Sequence, residues 1–242
     1  MTVKADEKLA RINDKDGFTN IRNGEGTDFK VVGTVNKDDF FYCELTNSEW
    51  YKVTALKWTE AGSQLEGYIH KSKVQFIDDL PDTTKKRIIE TIFETQKQSA
   101  NKFQNAWRSK DSLAYQTTVR ALEDYSDNKY SPILPIFAYY FCKTRDIGTL
   151  NKLFATIWAD KSSANEEPSF TLGDCFVCNS DIVLKQLKNI KSKEQRQLLI
   201  SDIEWGLRFR FNMPDEDLGI PDNPNKKQIE EFSKLKKKLK QD

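Results

Sequence analysis

One histidine, His70, serves the whole of this 242-residue chain. A Ser-His-Asp or Cys-His catalytic centre needs an imidazole beside its nucleophile, and no cysteine-bearing segment here has a histidine of its own. There are four cysteines, Cys43, Cys142, Cys175 and Cys178, too few for a disulfide scaffold at this length. No apolar run approaches the roughly 18–20 residues of a membrane-spanning helix, so no integral membrane segment is expected. Excess charge is missing too. Lys plus Arg is 38 against 37 for Asp plus Glu, which gives no broad pull toward nucleic acid or anionic lipid. There is no Walker loop, and no G-x-G-x-x-G follows a strand, so no cofactor is expected; no metal is expected either, since no second C-x-x-C or His pair could complete a zinc site.

What the chain does have is core material: 38% hydrophobic and 12% aromatic residues, enough for folded domains. Residues 1–11 are polar and read as a frayed lead-in. The stretch Asp14-Lys15-Asp16-Gly17 looks like a fragment of a calcium loop but lacks the remaining ligands, so it reads as a turn. Phe18-Thr19-Asn20-Ile21-Arg22 alternates apolar and polar, the period of a half-buried strand. Two glycines in Asn23-Gly24-Glu25-Gly26-Thr27 mark a tight turn. Strands are then expected at 30–35, 40–45, 50–53 and 67–70, with a longer excursion over Thr54–Leu65 that carries Trp58.

Together these residues resemble a bacterial SH3-like domain. The likeness rests on Asn20-Ile21-Arg22 before Gly24-x-Gly26-Thr27, then Phe29 and Val31-Val32, Trp50 opening a strand, and Gly67-Tyr68-Ile69 closing the domain. It covers about a quarter of the chain and departs from the family in the long 54–65 segment. The resemblance implies a small all-β barrel that binds a peptidoglycan peptide, another envelope component or a protein partner. It does not extend to proline-rich ligands, whose acidic-aromatic recognition motif is absent. The aromatic side chains of the barrel can grip a ligand at low entropic cost. Trp50 is expected in the core and Tyr51 on the opposite, ligand-facing side. The candidate ligand-binding set is Tyr51, Trp58, Tyr68, Asn20 and Arg22. His70 is read as a surface or packing residue.

Beyond Asp79 the pattern becomes helical. A long amphipathic helix is expected at 83–109 and a second at 112–125 with Leu113, Val119 and Leu122 inward. A third is expected to be capped by Ser131. The fourth follows Asp146, with Leu150, Leu153, Phe154, Ile157 and Trp158 at helical spacing. Residues 159–172 read as a loop. Ser180 and Ser192 are expected to cap the next two helices, the latter in a capping box with Gln195, and a lysine-rich helix closes the chain. The expected division is a barrel at 12–78, a helical domain at 79–212, and an extended segment with the C-terminal helix at 213–242. The helices form either a bundle or a short HEAT-like α-solenoid, a helical repeat suited to protein–protein interaction.

Cys175-Phe176-Val177-Cys178 is a C-x-x-C. It is open to three readings: packing thiols, a disulfide in an exported protein, or a redox or metal pair. The opening residues Met1–Glu7 hold no apolar stretch of a secretory signal. That leaves a cytoplasmic protein, or a periplasmic or envelope protein whose signal has been removed. The functional expectation is a non-enzymatic binding protein. The alternative is a cell-wall hydrolase or hydrolase accessory using carboxylates of the helical domain; with 37 acids, pairs such as Glu166-Glu167 or Glu230-Glu231 are expected by chance and single out no site.

Overall fold

The computed structural model describes residues 7–58, 64–161, 164–214 and 224–240. An all-β part comes first and an all-α part follows. By backbone contacts the chain divides into two units. One holds the described residues up to Lys85 together with Glu123–Pro132; the other holds Lys86–Leu122 and the described residues from Ile133 onward.

Seven strands build the first unit: β1 (Glu7–Ile12), β2 (Phe18–Arg22), β3 (Val31–Asn36), β4 (Phe41–Glu44), β5 (Trp50–Trp58), β6 (Gln64–His70) and β7 (Val74–Phe76). They form one antiparallel sheet in the order β3-β2-β6-β5-β4-β1-β7. The lead-in expected at 1–11 is therefore corrected from Glu7 onward. Leu9, Ala10 and Ile12 are buried there, and β1 is laddered to both β4 and β7. The 54–65 excursion is corrected as well. β5 runs on to Trp58 and β6 starts at Gln64, so 54–58 and 64–65 belong to the strands of the hairpin.

Alternation fixes which side of each strand faces inward. Ile21, Val53, Ala55 and Ile69 lie in the core with Ala10, Ile12, Val35, Phe41 and Cys43. Asn20, Arg22, Trp50, Tyr68 and His70 therefore share the outer face of β2, β6 and β5. Gly67 lets these strands approach: a Cβ there would collide with Arg22 O and the Ile21 side chain. In Glu123–Pro132, Lys129 Nζ donates to Asp38 O, lies 3.6 Å from the Asp39 carboxylate and sits over the Phe40 ring.

The helical elements are α1 (Asp82–Ser109), α2 (Ser112–Tyr125), α3 (Ser131–Thr144), α4 (Ile147–Ala159), α5 (Glu167–Lys188), α6 (Lys193–Arg210) and α7 (Lys226–Leu239). Ser126–Tyr130 is a π-helical turn that carries α2 directly into α3. Ser131 is thus helical itself (φ −59°, ψ −44°) rather than the residue before a new helix. Leu113, expected inward, is 73% exposed. Helix α5 begins at Glu167, inside the expected loop, and bends at Asn179 (φ −158°, ψ 79°). Asn179 Oδ1 accepts from Ile182 N, so the expected cap falls one residue before Ser180. Ser192 caps α6 as read from sequence, and Asp146, just before α4, caps that helix through Thr149 N.

Within this second unit Phe93 of α1 meets Phe137 of α3 edge-on at 5.2 Å. Thr156 of α4 donates to Phe93 O. Helices α5 and α6 meet where Gly173 faces Gly206. The lysine-rich α7 is held by Lys238 to Asp181 and Ser180. Cys178 is bonded to Cys142, tying α3 to α5, while Cys175 stays free and fully buried. The C-x-x-C is therefore not a redox pair. Burial pushes the Cys175 thiol well above its usual range, so it is not a nucleophile either.

Gln96 of α1 donates to the Asp160 carboxylate at 2.8 Å. Asp160 is 9% exposed, and burial lifts its pKa to about 6. Gln96 Oε1, also buried, finds no donor among the described residues. A carboxyl raised above its unfolded value binds its proton more tightly when folded, so the contribution of Asp160 to stability is greatest at low pH. It falls as pH rises from about 4 to about 6 and is then level. Asp160→Asn is expected to stabilise the protein by ~2 kcal/mol near neutral pH and hardly at all near pH 4. Urea titrations at the two pH values would measure this. An equal gain at both would show that the carboxyl does not titrate as described.

Candidate functional site

A cavity of about 490 Å³ lies over the outer face of β2, β6 and β5. Phe18, Asn20 and Arg22 line it from β2, Trp50 from β5 and His70 from the end of β6. The preceding turn adds Asp14 and Asp16, the glycine loop adds Thr27, and the turn after β6 adds Ser72 and Lys73.

Local geometry fixes several of these groups. Asn23 N donates to Lys30 O at 3.0 Å and Arg22 Nη1 to Phe29 O at 2.7 Å, closing the glycine loop. Glu25 of that loop accepts from Ser48 Oγ at 2.6 Å, and the same hydroxyl accepts from Trp50 N. The loop is thereby tied to the turn that presents Trp50. Trp50 meets His70 edge to face, with ring centroids 5.3 Å apart. Ser72 N donates to His70 Nδ1, which leaves Nε2 to carry the proton of the neutral ring.

Asp14 accepts from Lys73 at 2.8 Å, from Thr19 Oγ1 at 2.9 Å and from Asp16 N. The Lys73 ammonium, with these donors, holds the Asp14 carboxyl below its ordinary range. Asp14 in turn raises Lys73. The rim thus carries a neutralised Asp14–Lys73 pair, a negative Asp16 and a positive Arg22 around an aromatic wall. Such a surface can hold a ligand bearing both polar and apolar parts.

Of the residues expected from sequence, Asn20 and Arg22 line the cavity, and Tyr68 is cross-strand to Arg22. Trp58 ends β5 opposite Gln64; its side chain lies outside the described residues. Tyr51 and Trp50 exchange the places expected for them. Tyr51 packs on the core, 5.4 Å from the Phe76 ring and under Lys71, and burial raises its hydroxyl. The reason is parity: Tyr51 alternates with Val53 and Ala55, so it points inward with them. The same count applied to sequence would have turned Trp50 and His70 outward. The Asp14–Lys73 pair had no such signal, because it joins two turns 59 positions apart.

The helical unit gathers no comparable constellation. Burial raises the carboxyls of Asp160 and Asp202, but each is held singly by a neutral donor, Gln96 and Ser169. Among the described residues no three of His, Cys, Asp and Glu gather closely enough to share a metal ion, and no helix is long and apolar enough to cross a membrane. Compared with protein families, curated proteins and solved structures, the chain matches none.

Proposed function

We propose that this is a non-enzymatic binding protein whose β unit is an SH3-like barrel, with the cavity over β2, β6 and β5 as its ligand site. The ligand is a cell-envelope peptide of the peptidoglycan type, or a protein segment of like chemistry. The helical part, a bundle or short solenoid, serves protein–protein contact. One observation carries the reading: the outer face joins Trp50 and His70, an aromatic wall, to the polar Asn20 and to Arg22, which is tied to the closed glycine loop. Rigid aromatics beside a few placed polar groups are the usual make-up of a small-ligand site. The Cys142–Cys178 bond supports an oxidising compartment such as the periplasm or envelope.

Calorimetric titration with soluble peptidoglycan stem peptides tests this. Trp50→Ala is expected to weaken binding about tenfold or more, as loss of a central aromatic anchor does. Arg22→Ala should act similarly, whereas Tyr51→Phe should change little. Equal affinity of the wild type and Trp50→Ala would remove the cavity from the account. A fall in cell-wall turbidity on adding the protein would favour the hydrolase alternative.

A further inference from the structure

The geometry points to a second surface, on the hairpin of α1 and α2, that docks on an anionic lipid bilayer. Trp107 is 63% exposed and Leu113 73% exposed, at the two sides of the turn. Tyr115 stands 5.4 Å from the Trp107 ring, and a cavity of about 340 Å³ opens between these rings and Lys110. Exposing a tryptophan and a leucine on either side of one short turn is costly in water unless something apolar receives them.

Charge identifies the occupant. Arg108 and Lys110 flank the turn beside Trp107, Lys102 lies two turns back on α1, and among the described residues no ion pair joins any of the three to a carboxylate. The one acid at the turn, Asp111, is engaged in capping α2: its Oδ1 accepts from Leu113 N and Ala114 N, each at 3.0 Å. The chain as a whole is near neutral, so this positive charge is local to the tip. Tryptophan seats at the headgroup level, leucine enters the acyl boundary, and lysine and arginine stems reach back to anionic headgroups. A second copy of the chain fits poorly. Symmetric self-docking would press the cations of one tip against those of the other.

Co-sedimentation of the full chain with mixed phosphatidylcholine–phosphatidylglycerol vesicles tests the inference. The wild type is expected to pellet with these and much less with phosphatidylcholine alone. Trp107→Ala with Leu113→Ala should lower the partition coefficient about tenfold, since two exposed side chains carry the insertion. Arg108→Gln with Lys110→Gln should lower it on anionic vesicles only. Both pairs are exposed, so the fold survives their replacement, as circular dichroism would verify. A wild type left in the supernatant, or a Trp107/Leu113 variant that pellets equally, overturns the assignment. So does a shift from dimer to monomer in that variant by analytical ultracentrifugation, which would make a second copy the occupant.

Discussion

Gly206→Ala is expected to lower the stability of the helical unit by about 3 kcal/mol. The cause lies in two glycines that face each other. A Cβ at Gly206 would fall inside van der Waals contact of Ser169 O and 3.0 Å from Gly173 N; one at Gly173 would meet Gly206 C at 2.6 Å. All of these neighbours are backbone atoms of packed helices. None can rotate aside as a side-chain end can, so α5 and α6 must separate. Alanine's better helix propensity returns only about 1 kcal/mol, and the collision wins. Gly148→Ala on α4 is the internal control. Its nearest neighbour is Asp146 Oδ1 at 3.3 Å, so the change there should stay under about 1 kcal/mol. Thermal unfolding followed by circular dichroism should show a midpoint lower by roughly 10 °C for Gly206→Ala alone. Equal midpoints for the two variants would mean that α5 and α6 do not meet through their glycines.

That close approach was invisible in the sequence, where Gly173 and Gly206 are merely two helix-weakening residues in separate helices. The same contrast between local and distant information runs through the molecule. Five strands were legible because alternation, glycine turns and β-branched or aromatic residues act within a few positions. β1 and β7 were not, since a short polar-flanked strand such as Glu7–Ile12 exists only through its partners 30 and more residues away. Helix α4 was readable from its apolar spacing after Asp146 alone. Ser131 misled because Ser-Pro is a start signal by composition, yet the helix arriving from Tyr125 through the π turn leaves no free amides there to cap. At the candidate site, Asn20 and Arg22 share the outer face of β2, which the strand period of Phe18–Arg22 sets. Trp50 was set inward by its size, and the parity of Val53 and Ala55 overrules size. The pairing of Cys178 with Cys142 rather than Cys175 rests on the approach of α3 to α5 at one point, Cα atoms 5.5 Å apart, which no C-x-x-C count contains.

Cutting that covalent tie is the second large effect to expect. The bond joins positions 36 apart, with Cα atoms 5.5 Å from each other. A cross-link closing a loop of that size restrains the unfolded chain, a contribution of about 3–4 kcal/mol. Cys142→Ser should therefore lower the thermal midpoint by roughly 10 °C, and reductant should do the same to the wild type. Little change is expected in the folded state. The bend of α5 at Asn179 has its own supports: Asn179 Oδ1 capping Ile182 N, and Arg145 Nη1 donating to Cys178 O at 3.2 Å. Helical content at low temperature should hence match the wild type. The two destabilised proteins are also distinguishable from each other. Freeing the unfolded chain lets it expand and expose more surface, so Cys142→Ser should steepen the denaturant dependence of unfolding. Gly206→Ala acts on the folded packing and should leave that slope near the wild-type value. Four titratable thiols in the unreduced, unfolded protein would show that the cross-link does not form, and the predicted sensitivity to reductant would fall with it.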